Sequence, residues 1–471
     1  MAYLLNEVTP ESVGVSSSDV LKFIDFVTQY KINLHSFMMI KDGKVFCKGY
    51  YPFFDENFLH RQYSSTKSVV ALAIGYLITL GKLDENDKLV DLCPNLFANC
   101  DNDFRQVTVK HCLTMSNPIS IEDCERHSGM IFTYYSGADL LAKVIKNKTG
   151  KEFYEILRPV FDKIGVSKNI KCVEDLENHA WGGSGLLCTL PDFAKIALLI
   201  LNLGKHNGEQ LIDLDFMTKM CSKQISNQLD NSYFNLYNGG YGYLTWITPN
   251  ATALRGMGCQ QAFCFHDKNI LFVCHGDTQS TTDKADGILY ELFKNLIYDK
   301  ATTSLPESPT LQLLKQRLDN LELPRFCNQE SDIQNKINGK TYLLSPNPLG
   351  WEWLRWDFNG NDSTLTYKNA RGEKTLQVGV NHYLKTTFPE THYYGMKRGT
   401  PSLKNHDCLT IAEWIEPSKI LLRCYVIDTS LGNFVMNLSF DEDKVSILSH
   451  KRAEFFFEDY EGFAKGVVLK S

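Results

Sequence analysis

The sequence predicts an α/β (α+β) protein in which a first domain of mixed helices and strands is followed by an all-β domain. Residues 63–81 are predicted to form one helix, and apolar residues fall on every side of it from Val69 to Leu80, which is typical of a helix in the middle of a domain. Strand patterns at residues 36–40 and 45–50 flank a turn and indicate a hairpin. From Gly339 onward, short strand patterns alternate with Gly, Asn and Asp turns, which is typical of a β-sandwich or small barrel.

The chain of 471 residues is long enough to bury more than one core. Pro306 and Pro309 stand among Ser and Thr residues in a segment that has the composition of a linker. We therefore predict a first domain over residues 1–300, a linker with a short helix over residues 301–335, and a β domain over residues 336–471.

Composition argues against several classes of function. The 49 basic and 55 acidic residues give a net charge of -6, so no nucleic-acid partner is expected. The 14 cysteines include no Cys-x-x-Cys pair, so we expect reduced thiols, no metal and no cofactor. The N-terminal residues lack a signal-peptide pattern and no apolar run is long enough for a membrane span, so a cytoplasmic protein is the default expectation.

Further elements follow from local patterns along the chain. Gly81 predicts the end of the central helix. Ser and Asp at positions 16–19 are N-cap residues for an amphipathic helix at residues 20–27. Additional helices are predicted at residues 107–115, 138–145 and 193–201, and strands at residues 241–246, 253–255, 261–265 and 270–274.

Ser64 and Lys67 stand at the start of the central helix and lie on one helical face, so the hydroxyl and the amine can meet. A serine hydroxyl becomes a useful nucleophile when a base accepts its proton. An apolar helix start and the positive end of the helix dipole favour the neutral amine of Lys67, which can act as that base. Ser64 is the only serine of the sequence with a lysine three residues later. The alternative interpretation is an ordinary hydroxyl and lysine at a helix N-terminus.

A tyrosine precedes the predicted helix at residues 138–145. A lysine ammonium stabilises a nearby phenolate, so Tyr135 could relay protons between Ser64, Lys67 and a leaving group. The alternative is a packed tyrosine with a hydrogen-bonded hydroxyl. His111 is a lone histidine in a helical pattern, which is more often structural, so it is not assigned to catalysis.

Two glycine-rich stretches are candidates for the walls of a site. Residues 181–185 contain Ser184, but a Gly-x-Ser-x-Gly nucleophile motif would need glycine at position 186, where leucine stands. We therefore expect this turn to bring backbone close to the site rather than to supply a nucleophile. Residues 256–260 read Gly-Met-Gly-Cys-Gln, and an N–H that follows one of these glycines can face a carbonyl oxygen.

Together these motifs resemble those of the serine β-lactamase-related hydrolases, which include class C β-lactamases, penicillin-binding proteins and related esterases and amide hydrolases. The resemblance covers about residues 10–300, and its specificity lies in the shared order of six elements. The elements are Tyr63-Ser64-Ser65-Thr66-Lys67, residues 107–115, Tyr135-Ser136-Gly137, residues 182–186, residues 241–243 and residues 256–260.

The resemblance implies a β-lactamase-like fold, in which an antiparallel sheet is flanked by helices, an all-helical lobe is inserted, and the site lies in the cleft between them. It also implies that Ser64 is the acylated nucleophile, Lys67 its base and Tyr135 the proton relay. The implied oxyanion hole is the N–H of Ser64 with that of Met257 if Gly256 is the motif glycine, or that of Cys259 if Gly258 is. The implied substrate-binding residues are Gly137, Arg255, Gly258 and Gln260.

Two positions differ from the family pattern. Gly137 stands where asparagine is common, and the first position of the strand motif carries no cation, because it is Leu254 in one register and Gly256 in the other. In β-lactamases these polar groups hold the carboxylate and amide of the substrate, so penicillin is not the predicted natural substrate, although Arg255 could substitute. We predict a small-molecule ester or amide as substrate and leave the oligomeric state open.

Two classes of function therefore remain. The first is a serine hydrolase of esterase or amidase type that works through an acyl-enzyme on Ser64. The second is a ligand-binding or structural relative with little turnover, in which the β domain makes the important contact. Within that domain, Trp351, Trp353 and Trp356 are predicted to pack in the core rather than to form an aromatic wall over a ligand.

Overall fold

The computed structural model describes residues 3, 5–102, 104–118, 129–227, 236–279, 284–327, 329–453 and 457–469. The chain divides into two compact units. Unit 1 comprises residues 1–29, 34–276 and 284–321, and unit 2 comprises residues 30–33, 277–283 and 322–471.

Unit 1 combines a large sheet with helices and short strand pairs. Its described strands are β1 (Leu34–Lys41), β2 (Lys44–Tyr50), β3 (His60–Arg61), β4 (Lys171–Cys172), β5 (Leu186–Cys188), β6 (Lys205–His206), β7 (Glu209–Gln210), β8 (Trp246–Ile247), β9 (Thr252–Gly256), β10 (Gln260–Phe265) and β11 (Ile270–Gly276). Its described helices are α1 (Ser17–Gln29), α2 (Thr66–Thr79), α3 (Leu89–Leu92), α4 (Val109–Leu113), α5 (Gly137–Thr149), α6 (Phe153–Ile156), α7 (Arg158–Ile164), α8 (Leu190–Leu201), α9 (Leu214–Met220), α10 (Ala285–Phe293) and α11 (Thr310–Asp319).

The large sheet is antiparallel and has the strand order β2-β1-β11-β10-β9-β8. Side chains of β11 alternate between its two faces, as the pleat requires. On one face, Phe272 packs against Phe23 of α1 and Phe293 of α10, with ring centroids 5.5 and 5.0 Å away. On the other face, His275 stacks on Phe193 of α8 at 5.5 Å. Helices therefore cover both faces, as the resemblance implied.

The central helix α2 is buried along most of its length, which confirms the prediction from its apolar sequence. It ends where the sequence predicted. Gly81 adopts a φ of +64°, its N–H donates to the carbonyl of Ile78 at 2.8 Å, and the N–H of Lys82 donates to Leu77 at 2.9 Å. This pair of bonds is a Schellman cap, which needs a residue that tolerates the left-handed conformation.

The segment between β2 and β8 is not entirely helical. The short strands β3, β5 and β4 form a small antiparallel sheet beside the helices, so the all-helical lobe implied by the resemblance is only partly correct. The strand predicted at residues 241–246 is likewise mostly absent, since β8 begins at Trp246 and Tyr241 forms isolated bridges instead. The helix predicted in the linker forms as α11 and belongs to unit 1.

Unit 2 contains a closed barrel. Its described elements are α12 (Ile333–Ile337), β12 (Thr341–Leu344), β13 (Trp353–Asn359), β14 (Asp362–Asn369), β15 (Gly372–Val380), β16 (Leu384–Phe388), β17 (His406–Glu416), β18 (Lys419–Ile427), β19 (Leu431–Asp441), β20 (Lys444–Ala453) and β21 (Gly462–Val468). Among the described strands, nine close in the order β15-β14-β13-β12-β21-β20-β19-β18-β17, because β15 pairs with β17 in parallel. The predicted β-sandwich or small barrel is therefore a closed barrel, and the sheet is neither open nor part of a sandwich.

The barrel interior is filled by apolar side chains. Trp351 stacks on Tyr367 with centroids 4.0 Å apart, and Trp356 is 1% exposed while its indole N–H donates to Ser363 Oγ at 2.9 Å. These two tryptophans pack in the core, as predicted, whereas Trp353 is only half-buried. Strands β15, β16, β17 and β21 were not predicted from the sequence pattern.

In the parts of the chain that the structure describes, no helix combines the length and the apolar composition needed to cross a bilayer.

Candidate active site

Ser64 lies on a short 3-10 turn, Tyr63–Ser65, that runs directly into α2. Lys67 stands in the first turn of that helix, so the two residues meet on one face as the spacing predicted. The Lys67 amine donates to Ser64 Oγ at 3.0 Å and to the carbonyl oxygen of Gly183 at 2.6 Å. Lys67 is 6% exposed, whereas Ser64 is partly open to solvent. The arrangement is a reachable hydroxyl beside a buried amine.

The glycine-rich turn before β5 supplies the second partner of Lys67. The Gly183 N–H donates to Asp139 Oδ1 at 2.7 Å, which anchors the peptide just before the one whose carbonyl faces the amine. At Gly182 an added Cβ would lie 2.7 Å from the carbonyl oxygen of Ala138, so only glycine allows this close approach. Ser184 accepts a hydrogen bond from Arg61 at 3.1 Å. The turn thus brings backbone to the site, as expected, but the specific contact to Lys67 was not predicted.

The end of β9 packs against the turn that carries Ser64. An added Cβ on Gly256 would lie 2.2 Å from the carbonyl oxygen of Gln62 and 3.1 Å from Ser65 Oγ. Ser65 Oγ in turn donates to the carbonyl of Gln260 at 2.7 Å. Gly256 is therefore the glycine at the strand edge, while Gly258 lies in the hairpin loop with a φ of +76°. This favours the register in which Met257 follows the motif glycine.

Two backbone N–H groups beside this contact are available to a ligand. Within the described part of the chain, the N–H groups of Ser64 and Met257 donate to no protein acceptor. Cys259, the other candidate, is buried and its thiol contacts Asp286 Oδ1 at 3.2 Å. A carbonyl oxygen that reached both free N–H groups would be polarised by them.

The tyrosine beside Lys67 is Tyr134. Its ring centroid lies 4.9 Å from the Lys67 amine, whereas Tyr135, the residue predicted as proton relay, is 62% exposed. Tyr134 packs against Trp246 at 5.1 Å and Tyr241 at 6.1 Å, so its ring is held in place by aromatic neighbours. Burial, with a smaller effect of Tyr134, raises the pKa of Tyr241 well above its ordinary value.

Adjacent tyrosines explain why sequence reasoning selected the neighbour. The pair 134–135 allows two motif registers, and no local periodicity distinguishes them. Phe132, two residues before Tyr134, is 9% exposed and packs in the same aromatic cluster, a contact that only the structure shows.

The other residues predicted to bind substrate differ from one another in their contacts. Arg255 Nε donates to Asp286 Oδ2 at 2.8 Å, and its guanidinium lies 5.2 Å from the ring centroid of Tyr237. Burial alone would lower the pKa of Arg255, but the Asp286 carboxylate and nearby tyrosines raise it above its usual value. The guanidinium charge is therefore already paired.

Gln260 and Gly137 have structural contacts. The Gln260 side chain is buried and its amide donates to Met257 O at 3.0 Å and to Gly276 O at 2.7 Å. At Gly137 an added Cβ would lie 2.4 Å from the carbonyl oxygen of Cys112. The first turn of α5 thus leaves no room for a larger side chain at position 137. This is the asparagine position of the family pattern when the motif is counted from Tyr135; counted from Tyr134, that position is Ser136. Of the predicted site residues, the structure brings Ser64 and Lys67 into contact and places Gly256, which precedes Met257, against the turn that carries Ser64.

His111 has the structural role that sequence reasoning favoured. Its Nδ1 accepts the N–H of Thr108 at 3.2 Å, and its own N–H donates to Thr108 Oγ1 at 3.3 Å, which forms a capping box at the start of α4.

Unit 2 contains a second serine with a histidine and an aspartate. Ser402 Oγ lies 3.2 Å from His406 Nε2, and His406 Nδ1 lies 3.1 Å from Asp428 Oδ2. However, Ser402 Oγ donates to the carbonyl of Lys404 at 2.8 Å, and the Ser402 N–H donates to the carbonyl of Tyr393 at 2.7 Å. These bonds close a local turn and occupy the groups that a nucleophile would need, so we interpret this trio as structural.

Three histidines are buried beneath the turn that carries Ser64. His35 Nδ1 lies 3.1 Å from His60 Nε2, and the rings of His60 and His275 have centroids 4.6 Å apart. His275 Nε2 lies 3.0 Å from the amide nitrogen of Gln62. Burial lowers the pKa of His60 to about 3 and lowers the pKa of His35 and His275 well below the usual range.

Comparison with solved structures supports the fold inferred from this geometry. A protein from Bacillus anthracis assigned as a 6-aminohexanoate-dimer hydrolase is 16% identical, with a TM-score of 0.50 over 64% of this chain and 88% of that one. The chain has the β-lactamase-like fold. At this identity the likeness shows the fold and not the reaction.

Two further structures are similar at lower TM-scores. A protein from Bacteroides dorei assigned as a β-lactamase is 15% identical, with a TM-score of 0.49 over 65% of this chain and 100% of that one. An octameric penicillin-binding protein homologue from Pyrococcus abyssi is 18% identical with a TM-score of 0.46, over 95% of this chain and 100% of that one. No protein-family model and no curated protein matches the sequence.

Proposed function

We propose that the chain is a serine hydrolase that cleaves a small, neutral ester or amide through an acyl-enzyme on Ser64. The observation that carries the proposal is the position of the Lys67 amine, which is 3.0 Å from Ser64 Oγ and held by the Gly183 carbonyl at 2.6 Å. A fixed amine at this distance can accept the hydroxyl proton as Ser64 attacks a carbonyl.

In the acylation step, Ser64 Oγ forms a bond to the substrate carbonyl carbon and its proton passes to Lys67. The developing oxyanion is stabilised by the N–H groups of Ser64 and Met257. The proton then passes to the leaving alcohol or amine as the bond to it breaks, and we assign the phenol that assists this transfer to Tyr134. In the second step water attacks the acyl carbon, its proton passes through the same groups to Ser64 Oγ as the bond between Oγ and the acyl carbon breaks, and the acid is released.

The charges around the site favour a substrate without a carboxylate. Arg255 is paired with Asp286, and Leu254, which stands in the place of the motif cation, is fully buried. A substrate carboxylate would have to displace the Asp286 carboxylate from Arg255 before it could pair there. We therefore place this chain with esterases and amide hydrolases rather than with enzymes that act on penicillins.

Covalent labelling tests the nucleophile. Wild-type protein, Ser64→Ala and Ser402→Ala are incubated with a fluorophosphonate and analysed by intact-mass spectrometry. Ser402→Ala is the matched control, because Ser402 is a half-buried serine that also lies 3.2 Å from a potential base. We expect one adduct in wild type and in Ser402→Ala, and none in Ser64→Ala, while all three keep the same circular dichroism spectrum.

Substrates are then screened with p-nitrophenyl esters, small amides and a chromogenic cephalosporin. Turnover of an ester or amide that is lost in Ser64→Ala supports the proposal. Absence of any adduct in wild type would contradict it and would favour the ligand-binding or structural alternative.

A further inference from the structure

One carboxylate contacts both sides of the hairpin loop that carries the Met257 N–H. The last pair of the β9–β10 hairpin is Gly256 with Gln260, so the loop consists of residues 257–259. Asp286 Oδ2 accepts from Arg255 Nε at 2.8 Å, on the strand before the loop. Asp286 Oδ1 accepts from the Cys259 thiol at 3.2 Å, at the end of the loop.

The conformation of this loop needs support. Gly258 and Cys259 both have left-handed backbones, with φ of +76° and +74°. Glycine adopts this region freely, but for cysteine it is an unfavourable conformation that persists only where surrounding contacts impose it. The thiol bond to Asp286 is a contact of this kind.

Asp286 is itself well anchored. It is the second residue of α10, and a carboxylate in the first turn of a helix is stabilised by the helix dipole. Its side chain is 19% exposed and that of Arg255 is 26% exposed, so their bond is partly shielded from water. A fixed helix therefore holds both flanks of the loop through one side chain.

We propose that Asp286 is a positioning residue that sets the orientation of the Met257 N–H in the oxyanion hole. The inference rests on the proposed function, because it concerns the same acyl transfer on Ser64. Arg255 thereby has a role other than substrate binding: it is one of the two groups through which Asp286 acts. Cys259 is the other group. It contributes by donating a hydrogen bond and takes no part in the reaction.

The test compares Asp286→Ala, Asp286→Asn, Cys259→Ala and Cys259→Ser. The readouts are kcat and KM for the p-nitrophenyl ester that wild type hydrolyses fastest, and the affinity for phenylboronic acid, which forms a tetrahedral adduct on the serine. Asp25→Asn is the matched control, since it removes the negative charge from an Arg317–Asp25 contact of the same 2.8 Å length between α1 and α11.

We expect Asp286→Ala to lower kcat by about 10- to 100-fold, somewhat less than deletion of an oxyanion donor, and to weaken boronate binding by the same factor. KM should change by less than about threefold, because the loop acts on the transition state rather than on ground-state binding. Cys259→Ala should show a smaller loss, and Cys259→Ser should restore activity, because a hydroxyl can donate to Asp286. Asp25→Asn should resemble wild type.

The proposal is overturned if Asp286→Ala keeps wild-type kcat and boronate affinity. It is also overturned if Cys259→Ser is no more active than Cys259→Ala, since a merely structural thiol would not be rescued by a hydrogen-bond donor. If Asp286→Ala does not fold, Asp286→Asn and the Cys259 pair give the same comparison. Absence of turnover and labelling in wild type is a different result, which would refute the proposed function itself.

Discussion

Acidification is expected to destabilise unit 1 through the histidines beneath the turn that carries Ser64. His35, His60 and His275 are fully buried. They contact one another, the Gln62 amide and the rings of phenylalanines from several elements. A buried imidazole is kept neutral, because its charged form would lose hydration without gaining a carboxylate partner. In the unfolded chain the same imidazoles are exposed to water, so they can take up a proton at their ordinary pKa.

The sign and the size of this change in stability follow from the pKa of His60, which burial lowers from 6.5 to about 3. The unfolded state therefore binds a proton below pH 6.5 that the folded state does not bind until about pH 3. Stability from this residue is fully present above pH 6.5 and is lost as the pH falls toward 3. Between pH 7 and pH 5 the loss from His60 alone is about 2 kcal/mol. The pKa values of His35 and His275 are lowered in the same direction, so these residues add to the loss.

The perturbation is His60→Gln, which removes one of these protons from the unfolded state and keeps a polar side chain of similar size. Hydrogen exchange of peptides from α2, corrected for intrinsic rates, reports the opening free energy of unit 1 at pH 7, 6 and 5. We expect the fall in opening free energy from pH 7 to pH 5 to be about 2 kcal/mol smaller in His60→Gln than in wild type.

His450→Gln is the control, because His450 is 58% exposed and belongs to the barrel. Its pH dependence in the α2 peptides should match wild type, whatever its absolute stability. Equal pH dependence in His60→Gln and wild type would refute the reasoning, since it would mean that His60 is protonated in both states or in neither.

Two further outcomes are expected, each with a matched control. Tyr134→Phe should lower kcat by at least about 100-fold, as for loss of a general acid, whereas Tyr135→Phe should stay within about threefold of wild type. The reverse order in steady-state assays would return the relay to Tyr135. Gly256→Ala should destabilise the protein by about 1–3 kcal/mol and slow fluorophosphonate labelling, because its Cβ would lie 2.2 Å from a backbone oxygen. Gly287→Ala meets open space in a helix and should be neutral or stabilising by up to about 1 kcal/mol in the same denaturation assay.

The Ser64–Lys67 pair was accessible to sequence reasoning because the two residues interact within one helical turn. The Ser64–Lys67 spacing, the apolar run that follows and Gly81 at its end are local features, and the structure has each of them where the pattern predicted. The glycine turn at Gly183 was predicted as a site wall for the same local reason, namely that only glycine lets backbone approach so closely.

The rest of the site depends on contacts between distant parts of the chain. Tyr134 and Tyr135 are equivalent in sequence, and only packing against Trp246 and Tyr241 decides which ring faces Lys67. The choice between Met257 and Cys259 likewise depends on where β9 meets the Ser64 turn.

The sequence by itself determined the central helix, the Ser64–Lys67 pair, the hairpin strands and the all-β character of the last third of the chain. These features depend on periodicity and turn residues within a few positions. Tertiary structure decided which tyrosine lies against Lys67, which glycine forms the strand edge, and that β15 meets β17 to close the barrel. Each of these depends on register between segments far apart in sequence, where a shift of one residue turns every side chain to the other face of the strand.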